Sequence, residues 1–535
     1  MYTEKNVKLD LNVVTDIPFS DKIEDPSVID PTGRINILGN EIFDMSTISD
    51  GIKLYRVKSD GEEVEEDIII NINENISGVY INKSNNTNFT EGEVYKLSIN
   101  KKLKSFLGVS LKTELNSYFA IDYSFNLDSK GIPDLNNERN LTICISDIHL
   151  GINENIALIN QNRDALVDFL NHVRNSPNIK ELIIAGDLID EWTLPMEFDT
   201  FNGKTQLDFV KATALTNKPV IDAINNIIED GKVKMTYIPG NHDLLLNSSD
   251  IQSILPGIVE TRDARGLGAY TPADLPQVII EHGHRYNFYC APDPSNQSIT
   301  QTDSLLPPGY FFSRIATSSV IQGRPKRDSP LPIVKNNEMG EDQYGYFIYW
   351  SVWKIIIDSL PIKQSLDEKA IIMGIDGFTD SCSINDVLPY QNPEDGNIDV
   401  NLYKGCIEGW DERQNENLVP VKIPVDEAVA KGNLPSFLDY ESGVQYLNNQ
   451  DSDKRIAIFG HSHEARVIKS VNENDEKTVY VNSGTWIDRN PLTRTFVVIT
   501  PPKSKNSAPT YVNLYQYSPS GDIRKVESQA LTDLK

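Results

Sequence analysis

Cysteine and long apolar runs are both scarce in this chain of 535 residues. It has four cysteines, Cys144, Cys290, Cys382 and Cys406, and no CxxC pair among them. Four cysteines in a chain of this length argue against a fold that is stabilised by disulfide bonds. No stretch approaches the roughly 18 apolar residues that a membrane-spanning helix needs, so the sequence predicts no such span. The polar first ten residues contain no apolar core, and we therefore expect no signal peptide.

Positive charge is also in short supply. Lys and Arg number 50 against 77 Asp and Glu, which gives a formal net charge of −27. The phosphates of nucleic acids and anionic membranes would be repelled by such a chain, so the charge disfavours a nucleic-acid partner and a DNA-repair nuclease. With 39% hydrophobic and 24% charged residues the chain is globular, and its length predicts two to four domains.

Histidine is also scarce, with only seven in the chain. His172 lies near the end of a predicted helix, where a cationic side chain interacts favourably with the helix dipole, and we interpret it as a surface residue. The other six fall into short motifs that also contain Asp and Asn, and their placement directs the functional interpretation.

The pattern of apolar residues divides the chain into four regions. Residues 1–135 hold short apolar runs separated by turn signals, which predicts an all-β sandwich. A polar linker at 126–140 leads into residues 136–284, where strands alternate with helices in an α/β pattern. Residues 285–455 are less regular and form a predicted insertion, and the α/β pattern returns in 456–535. The clearest predicted helices are Ile156–Val173 and Tyr344–Leu360.

The N-terminal region carries a recognisable pattern of its own. Phe43–Ile48, followed by Ile52–Tyr55 and Gly92–Tyr95, resembles the bacterial Ig-like domain of surface-layer proteins. The resemblance implies a seven-stranded sandwich without chemistry of its own. It favours the cell envelope, whereas the missing signal peptide favours the cytoplasm, so the compartment stays open.

Five polar motifs each follow a predicted strand. In α/β sheets, ligands bind beyond the carboxyl ends of the strands, so these motifs are placed where a site is expected. The motifs are Ser146-Asp147-Ile148-His149, Gly186-Asp187-Leu188-Ile189-Asp190, Gly240-Asn241-His242-Asp243, Glu281-His282-Gly283-His284 and Gly460-His461-Ser462-His463.

The residue types in these motifs suit divalent cations, which bind carboxylate oxygen, amide oxygen and imidazole nitrogen. Asp147 and His149 are two positions apart, so both point to the same side of an extended strand end. Gly186 permits a sharp turn before Asp187, whose two oxygens can bridge two ions. Each motif alone is weak, since any of them also occurs in ordinary turns and surface strands, but together they predict a metal centre.

The order of the motifs resembles that of the calcineurin-like metallophosphoesterase family over residues 141–284 and 456–500. The resemblance implies a β-sandwich flanked by helices (αββα) and a centre of two divalent ions, Mn, Fe or Zn. It implies His242 as the catalytic histidine and Asp190 as the carboxylate that orients it. The implied ligands are Asp147, His149, Asp187 and His463 for one ion, and Asp187, Asn241, His282 and His461 for the other.

The motifs depart from two known branches of that family. Where phosphoprotein phosphatases carry an Arg-Gly pair that grips phosphate, this chain has Glu191-Trp192. We expect the carboxylate at that place to repel phosphate, which argues against that branch. The second motif is similar to that of lipid-precursor pyrophosphatases, but His242 and His284 stand where that branch has Arg and Asp, so its substrate is not carried over.

Substrate contacts are predicted from the fourth motif and from the insertion. His284 lies too close in sequence to His282 to be assumed a ligand, but it is a candidate for contact with substrate. A basic cluster, rare in this acidic chain, lies near Tyr310–Phe312 and contains Arg314 and Arg324, which suggests a cap that grips phosphate. The alternative is a solvated turn around Pro325.

The sequence therefore predicts a two-metal phosphoesterase that hydrolyses a small phosphomonoester or phosphodiester with metal-activated water. Two alternatives stay open: a pyrophosphatase acting on a nucleotide-linked or lipid-precursor substrate, and a surface-binding protein with a vestigial enzyme domain. The natural substrate, the metal identity and the oligomeric state are not predicted.

Overall fold

A computed structural model describes residues 10–121 and 138–531, apart from residues 16, 18, 22–26, 30–34, 59–60, 73–77, 84–88, 90–93, 328–329, 475 and 501–509. Most of the predicted linker 126–140 and the start of the segment Gly92–Tyr95 lie outside the described residues. All four cysteines are described and are free thiols.

The N-terminal region packs two sheets face to face around an apolar core that includes Ile37, Leu54 and Leu97. In the strand β8 (Val94–Ile99) every second residue is buried, as expected for a sheet with one face on a core. The Ig-like assignment of this sandwich stays a prediction. The elements are β1 (Val13–Thr15), β2 (Ser27–Ile29), β3 (Ile35–Gly39), α1 (Ile48–Gly51), β4 (Ile52–Val57), β5 (Glu63–Glu66), β6 (Ile68–Ile72), β7 (Gly78–Lys83), β8 (Val94–Ile99) and β9 (Leu115–Ile121).

The predicted α/β region begins with a buried parallel strand and continues with alternating helices and strands. The helices α2 (Arg163–Asn175) and α4 (Lys218–Asp230) each bury one apolar stripe and leave the opposite face polar. The elements are β10 (Leu141–Ile145), α2 (Arg163–Asn175), β11 (Ile179–Ala185), α3 (Gln206–Thr216), α4 (Lys218–Asp230), β12 (Lys234–Ile238), α5 (Ser248–Ile254), β13 (Val259–Glu260), β14 (Ala269–Tyr270) and β15 (Val278–Glu281).

The insertion is mainly helical, and the predicted helix Tyr344–Leu360 is present as α8. Its elements are α6 (Gln297–Thr300), α7 (Gly309–Ile321), α8 (Tyr344–Ser359), α9 (Ile384–Val387), β16 (Tyr390–Gln391), β17 (Ile398–Asp399), α10 (Trp410–Glu416), α11 (Val425–Lys431) and α12 (Pro435–Ser442). The chain then returns to the sheets through β18 (Ile456–Phe459), β19 (Arg466–Val471), β20 (Lys477–Asn482), β21 (Thr495–Thr500), β22 (Thr510–Tyr517) and β23 (Ile523–Leu531).

Two mixed sheets form the centre of the α/β region. One has the order β13-β12-β11-β10-β21-β22-β23, and the other has the order β14-β15-β18-β20-β19. Apolar residues of both sheets, among them Ile183, Ile280 and Ile458, form one cluster between them. The outer face of the first sheet packs on α2 and α4, and the outer face of the second packs on residues of the insertion. This layered arrangement is consistent with the predicted metallophosphoesterase fold.

Helix α2 begins seven residues later than the periodicity of Ile156–Val173 predicts. The carboxylate of Asp488 accepts hydrogen bonds from three successive backbone amides, of which that of Asn160 is the first. The side chain of Asn162 donates to the carbonyls of Trp486 and Ile487. A distant loop therefore holds this segment as turns, a tertiary interaction that helical propensity does not register.

The N-terminal sandwich contacts the insertion next to α12. The hydroxyl of Ser436 donates to the carbonyl of Gly39, at 3.0 Å. Residues 434–442 are therefore supported from two sides, by the sandwich and by the second sheet.

Candidate metal centre

All five motifs meet at one edge of the two sheets. The strands that precede them are β10, β11 and β12 in the first sheet and β15 and β18 in the second, parallel within each sheet. Their carboxyl ends therefore lie side by side, as the sequence predicts. Six of the seven histidines belong to these motifs, whereas His172 lies on α2.

Four donor groups form the first cluster. The Nε2 atom of His463 is 3.1 Å from Oδ1 of Asp147 and 3.1 Å from Nε2 of His149. Nε2 of His149 is 3.5 Å from Oδ2 of Asp187. The ligand atoms of these four residues all lie within 4.8 Å of one another, which suits one cation.

A second cluster shares Asp187 with the first. Oδ2 of Asp187 is 3.2 Å from Nε2 of His282, and that nitrogen is 3.0 Å from Oδ1 of Asn241. The same amide oxygen is 2.8 Å from Nδ1 of His461. The structure therefore brings together both ligand sets that the resemblance implies, and one oxygen of Asp187 faces both.

The chemistry of these donors fits two divalent cations. Carboxylate oxygens, imidazole nitrogens and one amide oxygen converge within a few ångströms, and they are the ligand types that Mn, Fe and Zn accept. Imidazole nitrogens 3.1 Å apart, as in His149 and His463, are close enough to share one ion. The residues present therefore match the requirements of a two-metal centre.

The backbone of the centre is unusual. Five of the ligand residues have left-handed backbone angles, with φ between 54° and 67°. For a residue with a side chain this conformation costs roughly 1–2 kcal/mol, and such strain concentrates at functional sites. The surrounding sheets and loops therefore hold these donors in place at an energetic cost. The five are Asp147, His149, Asp187, His461 and His463.

Two motif glycines make room for the ligands. At Gly186, where φ is +93°, a Cβ atom would overlap the imidazole of His282. At Gly240 it would overlap the carboxylate of Asp187. These positions therefore need glycine because the ligand side chains approach the backbone closely.

The electrostatics keep the carboxylates ionised. Burial opposes ionisation of Asp187, but the neighbouring His282 and His242 outweigh it and hold its pKa well below the ordinary value. Burial also opposes ionisation of Asp147, whose pKa is lowered by His282 and His463. Both groups are therefore charged at neutral pH and ready to bind a cation.

Asp190 contacts two histidines, not only the one that the sequence analysis assigned to it. Its Oδ1 is 2.8 Å from Nδ1 of His242, and its Oδ2 is 3.1 Å from Nδ1 of His149. Backbone amides of Trp192 and Thr193 and the hydroxyl of Thr193 donate to the same carboxylate. Asp190 therefore fixes the orientation of a ligand as well as that of the candidate catalytic histidine.

His242 lies between Asp190 and an aromatic wall. Since Nδ1 faces Asp190, Nε2 is the nitrogen available to a substrate. The rings of His242 and Trp192 are 4.6 Å apart at 30°, so the indole supports the imidazole from one side. In the sequence, Trp192 stands out only as a departure from a motif, and no pattern there predicts its contact with His242.

A cavity of about 240 Å³ opens over the centre, and the insertion lines much of it. His242, His461 and His463 lie at its base. The sequence analysis expected a cap but did not identify these wall residues, because no motif marks them. The wall residues between the fourth and fifth motifs are Asn287, Cys290, Gly309, Phe312, Ser313, Gly432, Asn433, Leu434, Pro435 and Leu438.

The basic cluster does not form this wall, which corrects the expected substrate role of Arg314 and Arg324. Arg314 is fully buried, and its guanidinium donates to the carbonyls of residues 194, 195 and 372, at 2.8–3.0 Å. It therefore cross-links the insertion to the loop after β11. Arg324 is exposed after the end of α7, where the alternative of a solvated turn fits better.

His284 and Glu191 also lie away from the wall. His284 is buried beside His282, with ring centroids 5.3 Å apart, and does not line the cavity. Glu191 is fully buried, and burial raises its pKa well above the ordinary value. The expectation that its charge repels phosphate is therefore wrong, since burial disfavours the charged form and the side chain does not line the cavity.

One family of known proteins matches the first part of the α/β region and the start of the insertion. Residues 141–314 match the calcineurin-like phosphoesterase family. Among curated proteins there is no significant match. A solved structure of the purple acid phosphatase PPD1 from yellow lupin (Lupinus luteus) seeds is 10% identical and covers 97% of this chain and 74% of its own, with a TM-score of 0.28.

Bacterial surface-layer proteins also match over part of the chain. The N-terminal part of the S-layer protein SbsC is 12% identical over 26% of this chain, with a TM-score of 0.17. A longer SbsC structure is 13% identical over 22% of this chain, with a TM-score of 0.15. The chain spans 28% and 16% of their respective lengths, and similarity this low carries no argument about function.

The family match and the assembled donors identify a metal-dependent phosphoric ester hydrolase domain in this chain. Within the described ranges, every helix is too short or too polar to cross a membrane.

Proposed function

We propose that this protein hydrolyses a small phosphoric ester at a centre of two divalent cations. The observation that carries the proposal is the position of Asp187, whose Oδ2 atom is 3.5 Å from one ligand histidine and 3.2 Å from another in the neighbouring cluster. A carboxylate placed between two sets of donors is the feature that distinguishes a two-metal hydrolase from a single structural ion site.

When bound, two such cations acidify a water molecule and neutralise the oxygens of a phosphoryl group. The chain's own contribution is to position and protonate. His242 offers Nε2 to the leaving oxygen, because Asp190 occupies its Nδ1 atom and fixes the ring.

The other functions considered from the sequence are less well supported. A vestigial domain would be expected to lack ligands, whereas every implied donor is present and converges here. Nucleic acid fits poorly with a cavity of about 240 Å³ in an acidic chain. A pyrophosphatase stays an alternative, since it uses the same centre on a different phosphate group.

Metal removal tests the proposal directly. We expect the protein as purified to hydrolyse p-nitrophenyl phosphate or bis-p-nitrophenyl phosphate, to lose turnover after chelation, and to regain it with Mn²⁺, Fe²⁺ or Zn²⁺ but not with Ca²⁺. The measurement is nitrophenol release together with metal content by elemental analysis. Metal-loaded protein that turns over neither ester would contradict the proposed function.

A further inference from the structure

We propose that the wall of the cavity selects phosphodiester monoanions with a small apolar substituent over dianionic phosphomonoesters. This inference rests on the proposed function and specifies its substrate class. It follows from three properties of the cavity: the absence of lysine and arginine from its described lining, the neutral polar groups that the insertion places on its wall, and an apolar side also built by the insertion.

No Lys or Arg lines the cavity among the residues that the structure describes. Nearby cationic side chains are paired elsewhere. The buried guanidinium of Arg413 is 2.8 Å from Asp293, and that of Arg285 is 2.8 Å from Glu281. Lys431, which precedes the wall residue Gly432, is 2.9 Å from Glu427. These groups are held by carboxylates and are not free to bind an anion.

The polar groups on the wall are neutral. They are the amides of Asn287 and Asn433, the hydroxyl of Ser313 and the thiol of Cys290. The amide nitrogen of Asn287 lies 3.0 Å from Nε2 of His461. Sites that bind a dianionic phosphate usually add Arg or Lys to neutralise the oxygens that face away from the metals. A diester replaces one of those charged oxygens with an ester group and needs no such cation.

The apolar side of the wall offers a place for that ester group. Leu434, Pro435 and Leu438 come from α12 and the residue before it, and Phe312 comes from α7. Phe312 is partly buried and packs against Trp353, with ring centroids 4.0 Å apart. Because the cavity holds only about 240 Å³, we infer a small substituent and not a polymer.

A comparison of two esters with the same leaving group tests the inference in the metal-loaded protein. We expect kcat/KM for bis-p-nitrophenyl phosphate to exceed that for p-nitrophenyl phosphate by about tenfold or more at pH 8, where the monoester is dianionic. A preference for the monoester would overturn the inference and leave the proposed function intact. Absence of turnover with either ester would instead contradict the proposed function, and with it the inference.

A cation added to the wall provides the second test. Asn433 is exposed at the cavity, so Asn433→Lys places an ammonium there without disturbing the core. We expect the ratio of kcat/KM values to shift about tenfold towards the monoester, because a charge-assisted hydrogen bond becomes available to its additional negative charge. Asn415→Lys, an exposed site on α10 away from the cavity, is the matched control and should leave the ratio unchanged. Equal ratios in both variants and the wild type would contradict the role of the neutral wall.

Discussion

Replacing Asp187 with asparagine is expected to abolish turnover and to empty both metal sites. The change removes one negative charge from a carboxylate that faces both clusters, and it places an amide NH₂ or a neutral oxygen beside two histidine nitrogens. We expect kcat/KM to fall at least about 1000-fold, more than loss of a single electrostatic donor causes. The measurements are ester hydrolysis and metal content per chain.

The exposed carboxylate of Asp222 offers a matched control, because Asp222→Asn removes the same charge from the surface of α4. That variant should keep both its activity and its metal. Thermal unfolding of both variants without metal shows whether each is folded. An Asp187→Asn protein that is folded, retains two ions and turns over ester normally would remove the basis of the shared-ligand assignment.

His242→Asn is expected to separate catalysis from metal binding. His242 faces Asp190 through Nδ1 and lies on the cavity, but its ring is not among the donors of either cluster in the ligand sets described above. We therefore expect metal content to stay near that of the wild type while kcat falls by about 10²–10⁴-fold, the usual contribution of a general acid. Steady-state kinetics and elemental analysis on the same sample provide the measurement.

His172→Asn serves as the control for this variant, since His172 is the one histidine outside the motifs. It should leave kcat unchanged. If the asparagine variant of His242 keeps a wild-type kcat, another group supplies the proton and the role assigned to His242 is wrong. If its metal is lost, His242 instead supports the ligands through Asp190.

The positions of the ligands could be predicted because each follows directly from the end of a strand. Once β10 is parallel to β11 and β18 is parallel to β15, the chain has little freedom in where Asp147, Asp187 and His461 lie. The left-handed backbone at these residues could not be predicted. It is imposed by neighbouring chain segments and runs against local preference.

The cavity wall is the part of the site that the sequence did not reveal. Leu438 lies on a short helix far from any motif, and Leu434 directly precedes that helix. Both reach the centre only because the insertion folds over the second sheet. The predicted substrate contact of Arg314 was also wrong, because it was inferred from the charge of the side chain. A rare cation in an acidic chain suggests an anion site, but its guanidinium is used to bind backbone carbonyls.

Of the two histidine contacts of Asp190, only one could be predicted from the sequence. Its partner His242 could be expected from the family pattern, whereas its contact with His149 depends on how the loop after β11 turns back towards β10. The amides of Trp192 and Thr193 that hold this carboxylate belong to the same loop. Such contacts arise from local loop geometry and leave no spacing signal in the sequence.

The most direct test of the two-metal centre is an anomalous diffraction map of crystals of the Mn²⁺-loaded protein. We expect two peaks about 3.5–4 Å apart, one on each side of the Asp187 carboxylate. One peak would adjoin His149 and His463, and the other would adjoin His282 and His461. A single peak, or two peaks that do not share Asp187, would contradict this expectation.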